Sequence, residues 1–399
     1  MHLIESLTHH GMGRTADGTL VARTLPGETI DLLPDGSARI TTPSPDRVAP
    51  PCRHFRSCGG CAMQHASDAF VADWKLGIII KSLAAHGLNA ELRVIQTSAP
   101  QSRRRAKLSG RRTKAGAMVG FHARSSEQLI AVPDCQLLRP SLVAMMPVLE
   151  AITVIAASRK SEIALTVTES RAGVDLVVDT DRPLTTELRA ELAQFAQAHG
   201  LARLVWRDET VVTIHAPVQR FGPADVVPPP GAFMQATAEG EAALLANVRE
   251  IVGKAGRIVD LFAGCGTFAL PLSQNAEVHA VESEAAMLHA LDSGWRGATG
   301  LKRITTEARD LFRRPLLPDE LRRFDAAVID PPRAGAEAQV REIARSNLSR
   351  LAMVSCNPVT FARDARDLTA AGFALGPISV VDQFRWSTHV ELVAAFTRT

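Results

Sequence analysis

Tyrosine is absent from this chain of 399 residues, so no step of its chemistry can use a phenol. Aromatic residues make up only 5%, and stacking on a planar ligand must come from 14 Phe, 4 Trp and 12 His. No stretch approaches the roughly 20 apolar residues that cross a bilayer, and the N-terminal segment lacks the apolar core and cleavage site of a signal peptide. We therefore expect a cytoplasmic protein with no membrane partner.

An excess of one charge is lacking as well, because 45 basic and 42 acidic residues leave a formal net charge of +3. That balance alone does not indicate a nucleic-acid ligand, but the segment 103–114 holds seven cations and no acid. It is either a solvated basic edge strand or a phosphate-binding surface, and we favour phosphate contact because arginine grips phosphates bidentately. The residues assigned to this contact are Arg103, Arg104, Arg105, Lys107, Arg111 and Arg112.

Proline-rich breaks divide the chain at residues 41–51 and 223–231. Short strand-like runs separated by Gly and Asp turns precede the first break and predict a small β-barrel over residues 1–47. A cysteine-bearing segment, 48–92, follows it. Residues 93–222 alternate β-like runs with helices, which predicts an α+β domain. Residues 223–399 form the last predicted domain, and we expect the chain to act as a monomer.

The last domain has the pattern of a doubly wound α/β fold. Seven apolar runs are separated mostly by helix-like stretches, and such continuous apolar strands suit a parallel sheet covered on both faces. Only RWSTH separates the last two runs, which is too short for a helical crossover, so these strands should form an antiparallel hairpin at one edge. Ligands of this fold bind at the carboxyl ends of the strands.

A glycine-rich turn, DLFAGCGTF at residues 260–268, follows the first of these strands. Gly264 and Gly266 permit a tight turn and a close approach of backbone to a ligand. Glu282 closes the second strand, where a carboxylate can accept hydrogen bonds from two ribose hydroxyls. Asp310 closes the third, placed to receive an adenine amino group or to cap a helix. The GxxxxGK pattern of phosphate-binding loops and the GxGxxG pattern of dinucleotide-binding sites are both absent. The turn instead resembles motif I of class I S-adenosylmethionine-dependent methyltransferases.

Two adjacent strand ends carry reactive side chains. Asp330 ends the fourth strand in DPPR, where rigid prolines aim the carboxylate toward the cleft. Cys356 ends the fifth strand in SCNP; a cysteine in an apolar strand is commonly a small core residue, but at this edge of the sheet we predict a nucleophile. Glu391 lies in the last strand, where alternation alone would turn it toward solvent.

The six cysteines are unevenly distributed. Cys52, Cys58 and Cys61 lie together, and Cys135 follows at a distance; in a cytosolic chain this grouping indicates a metal site before disulfides. Four thiolates suit either tetrahedral zinc or a 4Fe-4S cluster. Only Cys58 and Cys61 have the CxxC spacing, with two glycines between them. The absence of a second CxxC pair favours an iron–sulfur cluster over zinc.

Together DLFAGCGTF, DPPRAG, SCNP and HVE, with GAFMQAT upstream, resemble the RNA uracil-C5 methyltransferases, which make 5-methyluridine. LPGE near Glu28 resembles a shortened TRAM domain, and CRHFRSCGGCAMQH with Cys135 resembles the iron–sulfur motif of the bacterial 23S rRNA members. The resemblance implies a C-terminal class I (Rossmann-like) methyltransferase domain and S-adenosyl-L-methionine as methyl donor. It also implies a 4Fe-4S cluster on the four cysteines, of structural role, and RNA, in particular 23S rRNA, as the partner.

The resemblance also assigns roles. Cys356 matches the nucleophile, Glu391 the base, and Asp330 the aspartate that orients uracil or its enolate. Gln235, in FMQAT, matches the glutamine beside the cofactor and the target base, whereas Thr237 replaces an asparagine of the family pattern. The expected cofactor-binding residues are Gln235, Asp260, Phe262, Gly264, Gly266, Glu282, Asp310 and Asp330.

The residue types suit this chemistry, because uracil C5 attacks a sulfonium methyl group only after a thiolate has added to C6.

Two other functions remain open. DPPR is reminiscent of the D/N-PP-Y/F loop of amino-methyltransferases, whose chemistry needs no cysteine. The cysteine cluster and barrel could instead form a non-enzymatic RNA-binding or redox-sensing module. The same uracil chemistry on tRNA is the alternative to 23S rRNA.

Overall fold

The computed structural model describes residues 1–93 and 95–398, which form four sheets and ten helices. The strands are β1 His2–Leu7, β2 Met12–Thr15, β3 Leu20–Ala22, β4 Thr29–Leu32, β5 Ala38–Thr42, β6 Gln96–Thr97, β7 Arg105–Arg112, β8 Ala117–His122, β9 Leu129–Ala131, β10 Glu162–Ser170, β11 Gly173–Asp179, β12 Leu201–Trp206, β13 Glu209–Thr213, β14 Gln219–Phe221, β15 Ala224–Val226, β16 Arg257–Leu261, β17 Glu277–Glu282, β18 Ile304–Ala308, β19 Ala326–Ile329, β20 Arg350–Ser355, β21 Ala374–Asp382 and β22 Glu391–Thr397. The helices are α1 Asp68–Ala84, α2 Pro140–Ala144, α3 Met146–Ala156, α4 Thr186–Ala198, α5 Ala238–Val252, α6 Ala269–Leu272, α7 Ala285–Gly297, α8 Pro318–Leu321, α9 Glu337–Arg345 and α10 Pro358–Ala370. None of these described helices combines the length and hydropathy needed to span a bilayer.

The first sheet is antiparallel, with strand order β3-β2-β1-β4-β5, and confirms the predicted β-structure of the N-terminal region. Its small core consists of Ile4, Val21 and Ile30. Glu28, the acidic residue of LPGE, is fully buried. Its carboxylate accepts hydrogen bonds from the Leu25 backbone N–H at 2.8 Å and from Arg47 Nε at 2.5 Å. It therefore ties the turn before β4 to the chain that leaves β5.

The second sheet has the order β13-β12-β11-β10-β7-β8-β9 and, with α2 to α4, forms the expected central α+β region. The basic segment forms β7, which lies between β10 and β8, so the edge-strand interpretation is wrong. Ala106 and Leu108 are buried while Lys107 between them is exposed, as the twofold period of a strand requires.

The third large sheet, ordered β18-β17-β16-β19-β20-β22-β21-β6, confirms the predicted doubly wound α/β fold. Its first five strands are parallel, and β22 pairs antiparallel with both β20 and β21. The antiparallel hairpin is thus confirmed, but it does not end the sheet, because β6 pairs with the outer side of β21. Helix α1 also buries Ile79 and Leu83 in the core of this layer. The domain limits given above remain predictions.

Candidate active site

The glycine-rich turn after β16 contains three residues in left-handed conformations. Phe262, Gly264 and Gly266 have φ angles of 63°, 55° and 91°. A Cβ atom on Gly266 would lie 2.9 Å from side-chain atoms of Leu270, whereas one on Gly264 would meet nothing within 4 Å. Gly266 is therefore required by packing, and the space beside Gly264 is open to a ligand.

Asp260 lies next to this turn, within β16. It is fully buried, and neither carboxylate oxygen has a hydrogen-bond partner among the described residues. Burial raises its pKa well above the ordinary value, and the nearby Asp330 carboxylate raises it further. Because a buried carboxyl without a partner is costly, a ligand that brings a hydrogen-bond donor such as an ammonium group suits this position.

Glu282 ends β17, and Asp310 lies just after β18. Glu282 accepts hydrogen bonds from the Gly264 N–H at 3.1 Å and the Ser283 N–H at 2.6 Å, so its carboxylate faces the glycine-rich turn. Asp310 Oδ1 accepts from the Phe312 N–H at 2.9 Å within the turn that follows β18, a described segment in which no helix begins, so the helix-capping alternative is wrong. The Phe312 ring is 47% exposed and lies 5.4 Å from the Phe262 ring, a surface for a flat ligand that the sequence pattern did not identify.

Cys356 sits between β20 and α10. Asn357 caps the helix by accepting from the Val359 N–H at 3.1 Å, and Pro358 occupies its first turn, so the SCNP sequence places the thiol directly at the strand-to-helix junction. Burial raises the pKa of this thiol to about 11, and the carboxylates of Glu391 and Asp330 add to the shift. The sulfur is therefore protonated at neutral pH before a substrate arrives.

Glu391 begins β22 and is only 3% exposed, so the solvent-facing position that alternation predicts is wrong. Its Oε2 atom has no hydrogen-bond partner among the described residues. Burial raises the pKa of both Glu391 and Asp330, and the Asp330 charge raises that of Glu391 further. The structure thus brings Cys356, Asp330 and Glu391 close enough to influence one another, as the sequence analysis expected.

Two buried glutamines connect these groups. Gln235 donates from Nε2 to Asp330 Oδ2 at 3.3 Å and accepts at Oε1 from Gln383 Nε2 at 2.5 Å. Gln383 in turn accepts at Oε1 from the Ala236 N–H at 2.7 Å. Sequence analysis identified Gln235 but missed Gln383, which directly follows β21.

A cleft of about 800 Å³ opens beside Cys356. On one side, Arg333 Nη2 lies 2.9 Å from His389 Nε2. Burial and the Arg333 charge lower the pKa of His389 to about 4, so its neutral ring accepts this hydrogen bond. The opposite wall comes from α1, including Trp74 and Lys81, and from the β1–β2 turn. No motif in these two segments had pointed to the site.

Arg104 belongs to the interior of this region. It is buried, pairs with Glu241, and donates from Nε to the Gln235 carbonyl oxygen at 3.0 Å. The phosphate contact predicted for Arg104 would require breaking that pair. Its observed contacts instead support the segment that carries Gln235.

The other members of the basic segment differ in availability. Arg103 and Arg105 donate to backbone carbonyl oxygens, and Arg111 pairs with a carboxylate. Lys107 and Arg112 are exposed. Nucleic-acid contact by this segment stays a prediction, and it rests most firmly on the two exposed cations.

Cys52, Cys58, Cys61 and Cys135 line one small cavity between the N-terminal and central regions. Four sulfur donors in one cavity form a set that both zinc and iron accept. Within residues 1–93 and 95–398, however, no group of three or more His, Cys, Asp or Glu is arranged to hold a metal ion. The adjoining backbone reaches the catalytic region, because the N–H groups of Ala62 and Met63 donate to the Trp386 carbonyl oxygen at 2.7 and 2.9 Å.

Comparison with known proteins identifies relatives along the whole chain. Residues 228–398 match the family model described as tRNA (Uracil-5-)-methyltransferase. An uncharacterized RNA methyltransferase of Rhizobium meliloti is 41% identical, over 97% of this chain and 96% of its own length. The 23S rRNA (uracil(1939)-C(5))-methyltransferase RlmD of Halomonas elongata is 32% identical, over 98% of this chain and 87% of its own.

A solved structure shares the fold. The Pyrococcus abyssi tRNA (uracil-54, C5)-methyltransferase, in complex with S-adenosyl-L-homocysteine, aligns with a TM-score of 0.73 over 99% of both chains. Sequence identity is 20%, so this likeness concerns the architecture. It extends over the N-terminal, central and C-terminal sheets together.

Proposed function

This chain belongs to the RNA (uracil-C5)-methyltransferase family, and from that premise we propose that Cys356 acts by covalent addition to C6 of a uridine in RNA. The observation that carries the proposal is the convergence of a thiol with the carboxyl groups of Asp330 and Glu391 at one edge of the sheet, where the adjacent strands β19, β20 and β22 place them. An amino-methyltransferase has no use for this thiol, and a purely RNA-binding module would need neither the thiol nor the glycine-rich turn.

The residues around that turn fit S-adenosylmethionine, which supplies an electrophilic methyl group when bound. Asp260, a buried carboxyl with no partner among the described residues, would receive the ammonium group. Glu282 would receive ribose hydroxyls, and the exposed Phe312 ring would face the adenine. The open space beside Gly264 admits a ligand against the backbone.

Addition to uracil begins with loss of the thiol proton. Because the pKa of Cys356 is about 11, the sulfur must lose its proton as it attacks C6, and we assign the removal of that proton to a neighbouring carboxylate, Asp330 or Glu391, both of which act on the thiol pKa. The C5=C6 electron pair then moves onto C5 and O4. Asp330, whose pKa is raised by burial, can hydrogen-bond the developing enolate, and Gln235 holds that carboxyl in place. The activated C5 could then accept the methyl group that bound S-adenosylmethionine would supply, with the methyl–sulfur bond breaking to leave a thioether.

Release of the product requires a base. After methylation C5 still carries its proton, and removal of that proton lets the C5=C6 bond re-form while the C6–S bond breaks. We assign this step to Glu391, because its Oε2 atom has no partner among the described residues and burial makes it a stronger base than an exposed carboxylate. The sulfur leaves as a thiolate, and the thiol is regenerated when it regains the proton that the neighbouring carboxylate took during addition.

We propose 23S rRNA as the substrate. This rests on the relative named as a 23S rRNA enzyme, which aligns over 98% of this chain, and on the four-cysteine motif. Transfer RNA is the alternative, favoured by the description of the matching family model. In either RNA the uracil must leave its stack before a thiol can reach C6, so a loop or an easily flipped base is the expected target.

Covalent trapping tests both parts. A 23S rRNA fragment containing 5-fluorouridine, incubated with S-adenosylmethionine and the protein, is expected to give a denaturation-resistant adduct on Cys356, because fluorine at C5 cannot leave as a proton. The Cys356→Ala variant should give none. A tRNA with the same substitution is tested in parallel. An adduct with the tRNA but not with the 23S rRNA fragment would identify tRNA as the substrate. Absence of any adduct with an RNA that the enzyme methylates would contradict the covalent mechanism.

We further propose that the four cysteines hold a 4Fe-4S cluster. The common cavity supports it, because it is lined by four sulfur donors, the ligand type that an iron–sulfur cluster takes. When bound, the cluster would join Cys135 to the segment 52–61. Ala62 and Met63, which directly follow that segment, then support the β21–β22 loop through the Trp386 carbonyl oxygen.

Removal of one ligand tests the cluster. Cys58→Ala is expected to lose the visible chromophore and most of the bound iron of protein purified without oxygen. Cys265→Ala is the matched control, since this equally buried cysteine packs against Met287 and does not line the cavity. Full iron content and an unchanged spectrum in Cys58→Ala would remove this residue from the ligand set.

A further inference from the structure

We propose that Gln383 is a positioning residue that fixes the orientation of the Gln235 amide and thereby directs its N–H donor toward Asp330. The inference rests on the proposed function and adds a residue to it. Gln383 follows β21 and is 2% exposed, so its amide must find all its partners inside the protein. It lies in no catalytic motif considered above.

The orientation of the Gln383 amide is set by the backbone. A backbone N–H can only donate, so the atom that faces the Ala236 N–H at 2.7 Å must be the oxygen Oε1. The nitrogen Nε2 consequently points the other way, where it lies 2.5 Å from the side chain of Gln235. The opposite orientation would place two donors against each other at the Ala236 end.

Gln383 then sets the orientation of Gln235. Since Nε2 of Gln383 donates, the facing atom of Gln235 must be its oxygen, and the Gln235 nitrogen is directed to Asp330 Oδ2 at 3.3 Å. A flipped Gln235 would present its carbonyl oxygen to that carboxyl group. Arg104 holds the Gln235 backbone from the other side, so the side chain has little freedom to move away.

The Gln383 amide also affects Glu391, the proposed base. The Gln383 side chain lowers the pKa of Glu391 against the opposing effects of burial and of the Asp330 charge. Oε2 of Glu391 stays without a partner among the described residues. That oxygen therefore remains available for the proton on C5.

The surroundings keep Gln383 in place. A Cβ atom on Gly240, near the start of α5, would lie 2.7 Å from the Gln383 Cβ, so the helix packs directly against this side chain. The preceding residue, Asp382, forms a buried ion pair with Lys75 of α1 at 2.7 Å. Gln383 is therefore held by direct packing against α5, and its neighbour Asp382, the last residue of β21, is held by α1.

The test compares Gln383→Met with Gln339→Met. Gln339 is an equally buried glutamine whose amide bonds the backbone of Leu316 and lies outside the site. For Gln383→Met we expect kcat to fall about 10- to 100-fold with KM for RNA nearly unchanged, because the Gln235 N–H that donates to Asp330 is no longer held in place. The acid limb of the kcat profile should move to higher pH, since the Glu391 carboxylate loses a donor while still facing Asp330, Cys356 and Arg333. Gln339→Met should shift neither quantity.

A double variant separates positioning from packing. If Gln383 acts through Gln235, its substitution should have a much smaller effect in a Gln235→Met background than alone. Should Gln383→Met fold poorly, Gln383→Glu keeps the acceptor for Ala236 and the volume but lacks the amide donors, and the same pH shift is expected. Kinetics and pH profiles like those of Gln339→Met, or fully additive effects, would overturn the inference. Failure of the wild-type protein to form the fluorouridine adduct would instead contradict the proposed function.

Discussion

Glu391→Gln is expected to lower the turnover of RNA methylation by about 10² to 10⁴, the usual contribution of a general base, while leaving the protein able to bind covalently to its substrate. Cys356 is intact in this variant, so addition to C6 and methylation of C5 can proceed. The proton on C5 then has no base, and elimination stalls. An adduct on ordinary uridine RNA, carrying the new methyl group, should accumulate and be visible after denaturing electrophoresis and by mass spectrometry.

The same substitution has an opposite effect on stability. Burial raises the pKa of Glu391 in the folded protein above its unfolded value, so ionisation favours the unfolded chain and folded-state stability falls as pH rises through the folded pKa. Glutamine cannot ionise. The melting temperature of Glu391→Gln should therefore exceed that of the wild type by a margin that grows as pH rises, even though activity is lost.

A matched control is Glu277→Gln, at the exposed amino-terminal end of β17 and thus at the opposite edge of the sheet. It should retain turnover and show no such pH-dependent stabilisation. Normal turnover of Glu391→Gln would reject the assigned base. Low turnover with no adduct on any RNA that the wild type methylates would place Glu391 before, rather than after, covalent addition.

Local sequence signals account for the backbone of this site. The apolar runs predict the strands, and the residues that follow them, such as Asp330 and Cys356, lie together because parallel strands end at one edge. The Asn-Pro pair after Cys356 also has a local explanation as a helix start. Periodicity and capping operate over a few residues, which is why these features can be predicted from one chain.

Features that depend on distant contacts were not predictable in this way. The amides of Gln235 and Gln383 are 148 positions apart, and their pairing depends on the loop after β21 meeting the irregular segment between β15 and α5. Burial of Glu391 similarly depends on what covers the first residue of β22, not on the alternation within that strand. Arg104 lies in the same basic segment as its neighbours, so the sequence predicts the same role for all of them. Its guanidinium, however, is held by Glu241 on α5.

Lys75→Met is expected to lower the free energy of unfolding by about 3–5 kcal/mol, the effect seen when one member of a buried ion pair is removed. Lys75 is fully buried on α1; its ammonium lies 2.7 Å from Asp382 Oδ1 and donates to the Phe384 carbonyl oxygen at 3.3 Å. Methionine fills the space of the lysine stem but leaves the Asp382 charge buried without its partner. Urea denaturation followed by circular dichroism measures the loss.

Two further variants show whether charge or packing is responsible. Lys81→Met alters an exposed lysine of the same helix and should change stability by less than about 0.5 kcal/mol. The double variant Lys75→Met with Asp382→Asn removes both charges, so it should regain much of the stability lost by Lys75→Met alone, because a buried pair replaced by neutral groups no longer leaves an isolated ion. If the double variant is instead as unstable as the sum of the two single variants, the two side chains contribute to stability independently of each other. In that case the pair does not hold the loop that carries Gln383.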